Sequence, residues 1–217
     1  MTGSKKLAGF NLKNILIFGS GRWSKEYIKT LLEFKNLNLT IFIFTSTKNS
    51  TLYNWVKKNS YEKKVFFISD LNLIKKKKID ACFVVNDTKN HFQRTKFAIS
   101  RNIPVLVEKP VSENFQEIKK LIMLAKTSNT LIATSQIFNF SDYILETKQI
   151  IRDLDKIISI DVFWEDPLEE IRYGHKKTSN ISISPYDDFL PHVLSIIRYL
   201  IVNDFKSYKI FSVEQNN

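Results

Sequence analysis

The chain has 217 residues, 43% hydrophobic and 25% charged, which excludes a disordered or fibrous protein and leaves room for one large or two small domains. A single cysteine, Cys82, excludes an internal disulfide framework, no apolar run has the length of a membrane span, and Met1 to Lys13 lack the apolar core of a secretory leader, so the default compartment is the cytoplasm. Lys and Arg number 33 against 22 acids, a net charge of +11; because these cations are scattered, they read as a solvated face that favours small anionic ligands over nucleic acid.

Strand-like and helix-like segments alternate through the first 135 residues. Residues 14–18 form an apolar run that ends in Gly19-Ser20-Gly21, and Tyr27, Ile28, Leu31 and Leu32 then recur at helical spacing. Residues 39–44 are a second run, Leu52, Trp55 and Val56 mark a helix, and residues 65–68 are a third run. Leu71, Leu73 and Ile74 suggest a helical turn before a fourth run at 79–85. A helix over 92–100, a fifth strand at 105–107, a helix over 115–126 and a sixth strand at 131–135 complete the series. Runs that are apolar throughout suit parallel strands covered on both faces, and their alternation with helices predicts repeated βαβ units. The expected class is α/β, a doubly wound parallel sheet with ligands at the carboxyl ends of its strands.

Past residue 136 the rhythm changes. Residues 143–154 predict a helix with Ile144, Ile150 and Ile151 inward; Ile158, Ile160, Val162 and Trp164 alternate with Ser159, Asp161 and Phe163, as in a half-exposed antiparallel strand. Residues 165–186 read as a polar loop, 191–201 as a buried helix and 208–213 as a last strand. The division is therefore a dinucleotide-binding domain over 1–135 and a smaller α+β domain over 136–217.

Gly19-Ser20-Gly21-Arg22-Trp23-Ser24 lies between a predicted strand and a predicted helix. There the first glycine makes a tight turn, the second lets the backbone approach a pyrophosphate, and amides at the helix start hold the anion. Ser24 stands where the fingerprint has a third glycine. After the second strand, where NAD enzymes place an acid for the ribose, the chain carries Ser46, Thr47 and Lys48. These suit a 2′-phosphate and favour NADP over NAD; they are equally well ordinary loop residues. Glu108-Lys109-Pro110 closes the fifth strand, and a lysine at that edge has the donors for substrate orientation or proton transfer. His192 lies in an apolar segment and is by itself as well explained as a core residue. Asp187 and Asp188 could cap the helix that follows, and His91 could serve a loop or a helix start. Three scattered histidines and one cysteine make no metal site.

In combination these elements are more specific. Residues 79–85, then Asn90-His91, then 103–107 closing on Glu108-Lys109-Pro110 resemble the core of the Gfo/Idh/MocA oxidoreductases; Gly19 to Trp23 resemble the family's opening, and Asp188-Phe189-Leu190-Pro191-His192 resembles its Asp-x-x-x-His element. The resemblance implies a Rossmann domain and an NAD(P)-dependent enzyme moving a hydride to or from a sugar, nucleotide-sugar or polyol. It places Gly19, Ser20, Gly21, Arg22, Trp23, Asn86, His91 and Glu108 at the cofactor, together with Ser46, Thr47 and Lys48 as read above. Lys109 would contact substrate and nicotinamide, Asp188 would orient substrate, and His192 would be the acid/base. Two features depart from the pattern. Asn86-Asp87-Thr88-Lys89 lacks the family's Thr-Pro pair, and few residues follow for the large open sheet that builds the substrate site and often the oligomer interface. The expectation is either a shortened second domain or a fragment of a longer protein, and a homo-oligomer formed through this segment, with a catalytically degenerate, dinucleotide-binding partner subunit as the alternative to an enzyme.

Overall fold

A computed structural model describes residues 12–45, 50–154, 157–164, 171–172, 175–176 and 184–201. The chain divides into two compact units, Met1–Ser135 and Gln136–Asn217.

The first unit is a doubly wound sheet. Its strands are β1 (Asn14–Phe18), β2 (Thr40–Phe44), β3 (Val65–Ile68), β4 (Ala81–Val84), β5 (Val105–Val107) and β6 (Ile132–Thr134), all parallel, in the spatial order β3-β2-β1-β4-β5-β6. The order reverses direction between β1 and β4, which is the switch point of the fold. Its helices are α1 (Arg22–Glu33), α2 (Ser50–Lys58), α3 (Leu71–Lys75), α4 (His91–Ile99) and α5 (Phe115–Thr127). Alternate residues of each strand face opposite ways. Ile15, Ile17, Ile41 and Ile43 pack with Ile28 of α1 and Leu52 and Val56 of α2. Leu16, Phe18, Phe42, Phe44, Cys82, Val84, Val105 and Val107 pack with Ile74 of α3, Ala98 and Ile99 of α4, and Leu121 and Ala125 of α5. Both faces of the sheet are covered, which is why its strands read as continuous apolar runs. Cys82 is buried between layers, and burial pushes its thiol above the ordinary range. Asp70 and Asn114 begin α3 and α5 by accepting the amides of Asn72 and Gln116.

The second unit contains a 3-10 turn over Ile137–Phe140, α6 (Asp142–Arg152), a two-residue antiparallel pair of β7 (Ile171–Arg172) and β8 (His175–Lys176), and α7 (Pro185–Leu200). Here the sequence reading needs correction. The alternating segment 157–164 is not a strand; among the described residues no strand pairs with it, and Ile158 and Phe163 are both more than nine-tenths exposed. Alternation selects a face only when a neighbouring strand supplies the ladder, so the pattern alone was insufficient. Ile144 is buried in α6, but Ile150 is exposed. The helix expected from 191 begins at Pro185, with Ser184 before it, and Pro191 lies inside it. A serine followed by a first-turn proline is a helix start; the loop expected over 165–186 therefore loses its last residues to α7, and 171–172 and 175–176 to the strand pair. The strand expected at 208–213 lies outside the described residues. Among the described residues, no helix is long and apolar enough to cross a membrane.

Candidate active site

The carboxyl ends of β2, β1, β4 and β5 lie side by side, because the register pairs Phe44 with Phe18, Phe18 with Val84, and Val84 with Val107. The residues after each of these four strands thus share one edge. Gly19 leaves β1 with φ +132°, a conformation L side chains rarely adopt, and a Cβ there would lie 3.0 Å from Asn86 N and from Val85 C and O. Its own amide donates to the Phe44 carbonyl at 3.2 Å, and the Val85 amide donates to the Phe18 carbonyl at 2.9 Å. The glycine turn is therefore held against the exits of both neighbouring strands. The Thr45 hydroxyl adds a bond of 3.3 Å to Ser20 Oγ.

Gly21 differs in kind. A Cβ at this position would meet no protein atom within 4 Å. It is the N-cap of α1, no side chain caps the helix, and no acid occupies the first turn. With no side-chain cap and no acid in the first turn, the partial positive charge of the helix start favours an anion there. This is what a pyrophosphate needs, so the residues present fit a dinucleotide. Arg22 lies over the Trp23 ring at 5.4 Å. Ser24 is fully buried on α1, so the helix approaches the sheet closely without the third glycine. Ser46, Thr47 and Lys48 lie outside the described residues.

Two strand spacings from the glycine turn, about 10 Å across the sheet, β5 delivers Glu108 and Lys109. The Tyr27 hydroxyl, on α1, donates to Glu108 Oε1 at 3.0 Å and lies 3.2 Å from Ser135 Oγ, just past β6. Burial first, and then the Glu108 charge, push the Tyr27 phenol above its ordinary range. It stays a donor at neutral pH and fixes the Glu108 carboxyl. The sequence reading took Tyr27 only for a core position of its helix. Its ring does pack, 5.0 Å from Phe83, while its polar tip serves the edge. The Lys109–Pro110 peptide bond is cis.

His91 requires a correction. The imidazole is 1% exposed, with Nδ1 2.8 Å from the Pro110 carbonyl oxygen and Nε2 2.7 Å from that of Asn86. Both ring nitrogens face backbone carbonyls, so neither is left for a cofactor. His91 instead straps the loop after β4 to the turn after β5. A neutral imidazole donates to only one of these two carbonyls, so His91→Leu removes one hydrogen bond and the ring that spans both loops, at about 1–3 kcal/mol before relaxation. The urea midpoint should fall by an amount equivalent to about 1–3 kcal/mol; an unchanged midpoint would mean that water replaces the ring.

In the second unit, Asp188 and His192 stand one turn apart on α7. The Asp188 amide donates to the Ser184 carbonyl at 3.1 Å, so Asp188 sits inside the helix and is not its cap. His192 is buried among aromatic rings, edge-on to Phe138 at 4.8 Å and stacked on Trp164 at 5.8 Å. Trp164 also stacks on Phe189 at 6.4 Å.

A parallel sheet with order β3-β2-β1-β4-β5-β6, a glycine turn at its switch point and an uncapped helix start above it define a dinucleotide-binding Rossmann domain. The model of the oxidoreductase family with an NAD-binding Rossmann fold, Gfo/Idh/MocA, matches residues 13–135, more than half of the chain, and the chain belongs to that family. No curated protein matches it. Among solved structures, it is similar to the probable oxidoreductase yhhX, with 21% identity, 86% of this chain and 53% of that one covered, and a TM-score of 0.65. It is also similar to myo-inositol 2-dehydrogenase from Lactobacillus plantarum, with 22% identity, 68% and 43% covered, and a TM-score of 0.59. For a dehydrogenase from Chromobacterium violaceum the values are 19%, 66% and 41%, and 0.56. The chain thus spans about half the length of these structures or less, and at such identities the likeness concerns the fold.

Proposed function

We propose that the protein is an NAD(P)-dependent oxidoreductase acting on a CH–OH group of a sugar, nucleotide-sugar or polyol. The observation that carries this reading is the placement of Glu108 and Lys109 on the same sheet edge as the glycine turn, with only β4 between them. Gly19 and Gly21 keep the backbone close to a pyrophosphate, and the first amides of α1 donate to it. Bound nicotinamide supplies the hydride acceptor or donor. Glu108, oriented by Tyr27, borders that ring, and Asn86 lines the same edge. Oxidising an alcohol takes a hydride from carbon and a proton from oxygen, so a base must reach the hydroxyl. Lys109 orients the hydroxyl, its ammonium being a compact donor of three protons. Asp188 is assigned to substrate orientation and His192 to accepting the proton, imidazole being the side chain that exchanges protons most readily near neutrality. The family supports the dinucleotide and the reaction class. Support for the polyol comes from the family resemblance and from the inositol dehydrogenases among the similar structures.

Titration of the full chain with NADH and with NADPH, followed by nicotinamide fluorescence, tests the reading. Saturable binding of at least one, and reduction of NAD or NADP on addition of inositols, sugars or nucleotide-sugars, is expected, with NADP preferred. No binding of either overturns it. A second reading rests on the incomplete glycine fingerprint, with Ser24 in place of the third glycine: a partner subunit that binds the dinucleotide without turnover. Saturable binding with no turnover on any of these substrates favours it.

A further inference from the structure

Among the described residues of the first unit, Arg94 meets aromatic rings and no acid. Arg94 lies on α4, half-buried, with its guanidinium carbon 4.7 Å from the ring centre of Phe44 and 5.3 Å from that of Phe18. Among the described residues, no carboxylate or carbonyl accepts a hydrogen bond from it. The contrast with Arg101, on the turn after the same helix, is direct: Arg101 donates to the Lys75 carbonyl at 2.7 Å. Burial pushes the Arg94 guanidinium below its ordinary range, as expected for a charge taken from water without an acid beside it. Contact with the faces of aromatic rings uses none of the five N–H donors of the planar group.

The position is informative. Phe18 and Phe44 are the last residues of β1 and β2, and the bonds from Gly19 N to Phe44 O and from Thr45 Oγ1 to Ser20 Oγ stitch the two exits together directly after them. In a doubly wound dinucleotide fold, the exit of the second strand meets the adenosine ribose. An acid there reads the 2′-hydroxyl, and a cation there accommodates a 2′-phosphate. Residues 45–48 are Thr-Ser-Thr-Lys, without an acid. The two rings accept none of its N–H donors, and a planar guanidinium binds a ligand with two oxygens to offer, such as phosphate, best.

We propose that Arg94, supplied from α4, selects the phosphorylated dinucleotide by receiving the 2′-phosphate of NADP(H). This rests on the dinucleotide-binding reading above and adds a specificity residue to it. Arg22, exposed over Trp23 at the start of α1, is a competing cation, as is Lys48 after β2 in the sequence, and Arg22 enters the test as a control.

The experiment titrates the wild-type chain, Arg94→Gln, Arg94→Lys and Arg22→Gln with NADPH and NADH, and with 2′,5′-ADP and 5′-AMP as nucleotide probes. The wild type should prefer NADPH to NADH and 2′,5′-ADP to 5′-AMP. Arg94→Gln should lose about tenfold to a hundredfold in affinity for the two 2′-phosphorylated ligands, the span of a charged hydrogen bond. It should change less than about threefold for NADH and 5′-AMP, which also reports an intact fold, and Arg94→Lys should recover part of the loss. Equal losses for both ligand classes would make Arg94 an adenosine or folding residue and overturn the proposal. So would an unchanged Arg94→Gln, or a loss confined to Arg22→Gln, and in those cases the dinucleotide reading stands. A wild type that binds neither dinucleotide overturns both.

Discussion

Gly19→Val is expected to abolish dinucleotide binding and to destabilise the parallel-sheet unit by about 3 kcal/mol or more, whereas Gly21→Ala is expected to leave the fold intact and weaken binding alone. The two glycines are two residues apart and do different things. At Gly19 the backbone has φ +132°, and an added Cβ would meet three backbone atoms of Val85 and Asn86 at 3.0 Å. Backbone strain in that region costs about 1–3 kcal/mol for a side chain. The clash cannot be relieved by a rotamer, because the atoms that would have to move belong to the exit of β4, whose Val85 amide is bonded to Phe18. Relief therefore means separating β1 from β4 at the switch point, which moves the loop that His91 straps to Pro110. At Gly21, by contrast, a methyl group meets no atom of the described residues beyond its chain neighbours within 4 Å. Its only cost to the protein is the modest change of N-cap residue. It would, however, occupy the space over the α1 amides. Thermal unfolding by circular dichroism and NADPH fluorescence separate the two effects. A folded Gly21→Ala protein that binds NADPH as tightly as the wild type would show that the anion does not approach at that turn.

The sheet was legible in the sequence because it is buried on both faces. The runs 14–18, 39–44 and 65–68 carry almost no polar residue, and a segment flanked by helices on both sides has no solvent face to write into its sequence. The edge that carries the site was legible for the same reason: strand ends and parallel connections determine which turns come together, so Gly19 and Lys109 follow from topology alone. What escaped was whatever depends on side-chain contact. Tyr27 has the spacing of a core residue, and only the folded arrangement of α1 over β5 and β6 brings its hydroxyl to Glu108 and Ser135. His91 has the motif position of a ligand, yet its ring turns inward to two carbonyls nineteen and five residues away. In the second unit the failure is of another kind. Residues 157–164 have the period of a strand, but a strand is a relation between two segments, and a periodic pattern describes only one. Ser184-Pro185 marks the start of α7, ahead of the apolar positions from 191 onward, by the local chemistry of a first-turn proline and not by periodicity.

Lys109→Ala is expected to lower kcat by about 10²- to 10⁴-fold, the range for losing a positioned proton-transfer or orienting group, with less than about threefold change in the affinity for NADPH. The separation follows from where Lys109 sits. In the proposed site the pyrophosphate lies at α1, two strands away, against backbone groups that the substitution does not touch. The Glu108 carboxyl beside it is held by Tyr27 independently of the lysine. Truncation at Lys109 should thus remove a group that acts on substrate while leaving the dinucleotide frame in place. Lys109→Arg refines the result. A guanidinium keeps the positive charge but is bulkier, planar and does not give up a proton in proteins. If the lysine only stabilises negative charge on the substrate oxygen, Lys109→Arg keeps a substantial part of the turnover. If the ammonium takes part in proton transfer, Lys109→Arg is nearly as poor as Lys109→Ala, and the two fall together. Turnover is read from the absorbance of reduced nicotinamide, with any inositol, sugar or nucleotide-sugar that the wild type oxidises. Undiminished turnover in Lys109→Ala would remove Lys109 from the chemistry and leave His192, on its separate unit, to be tested alone by His192→Gln.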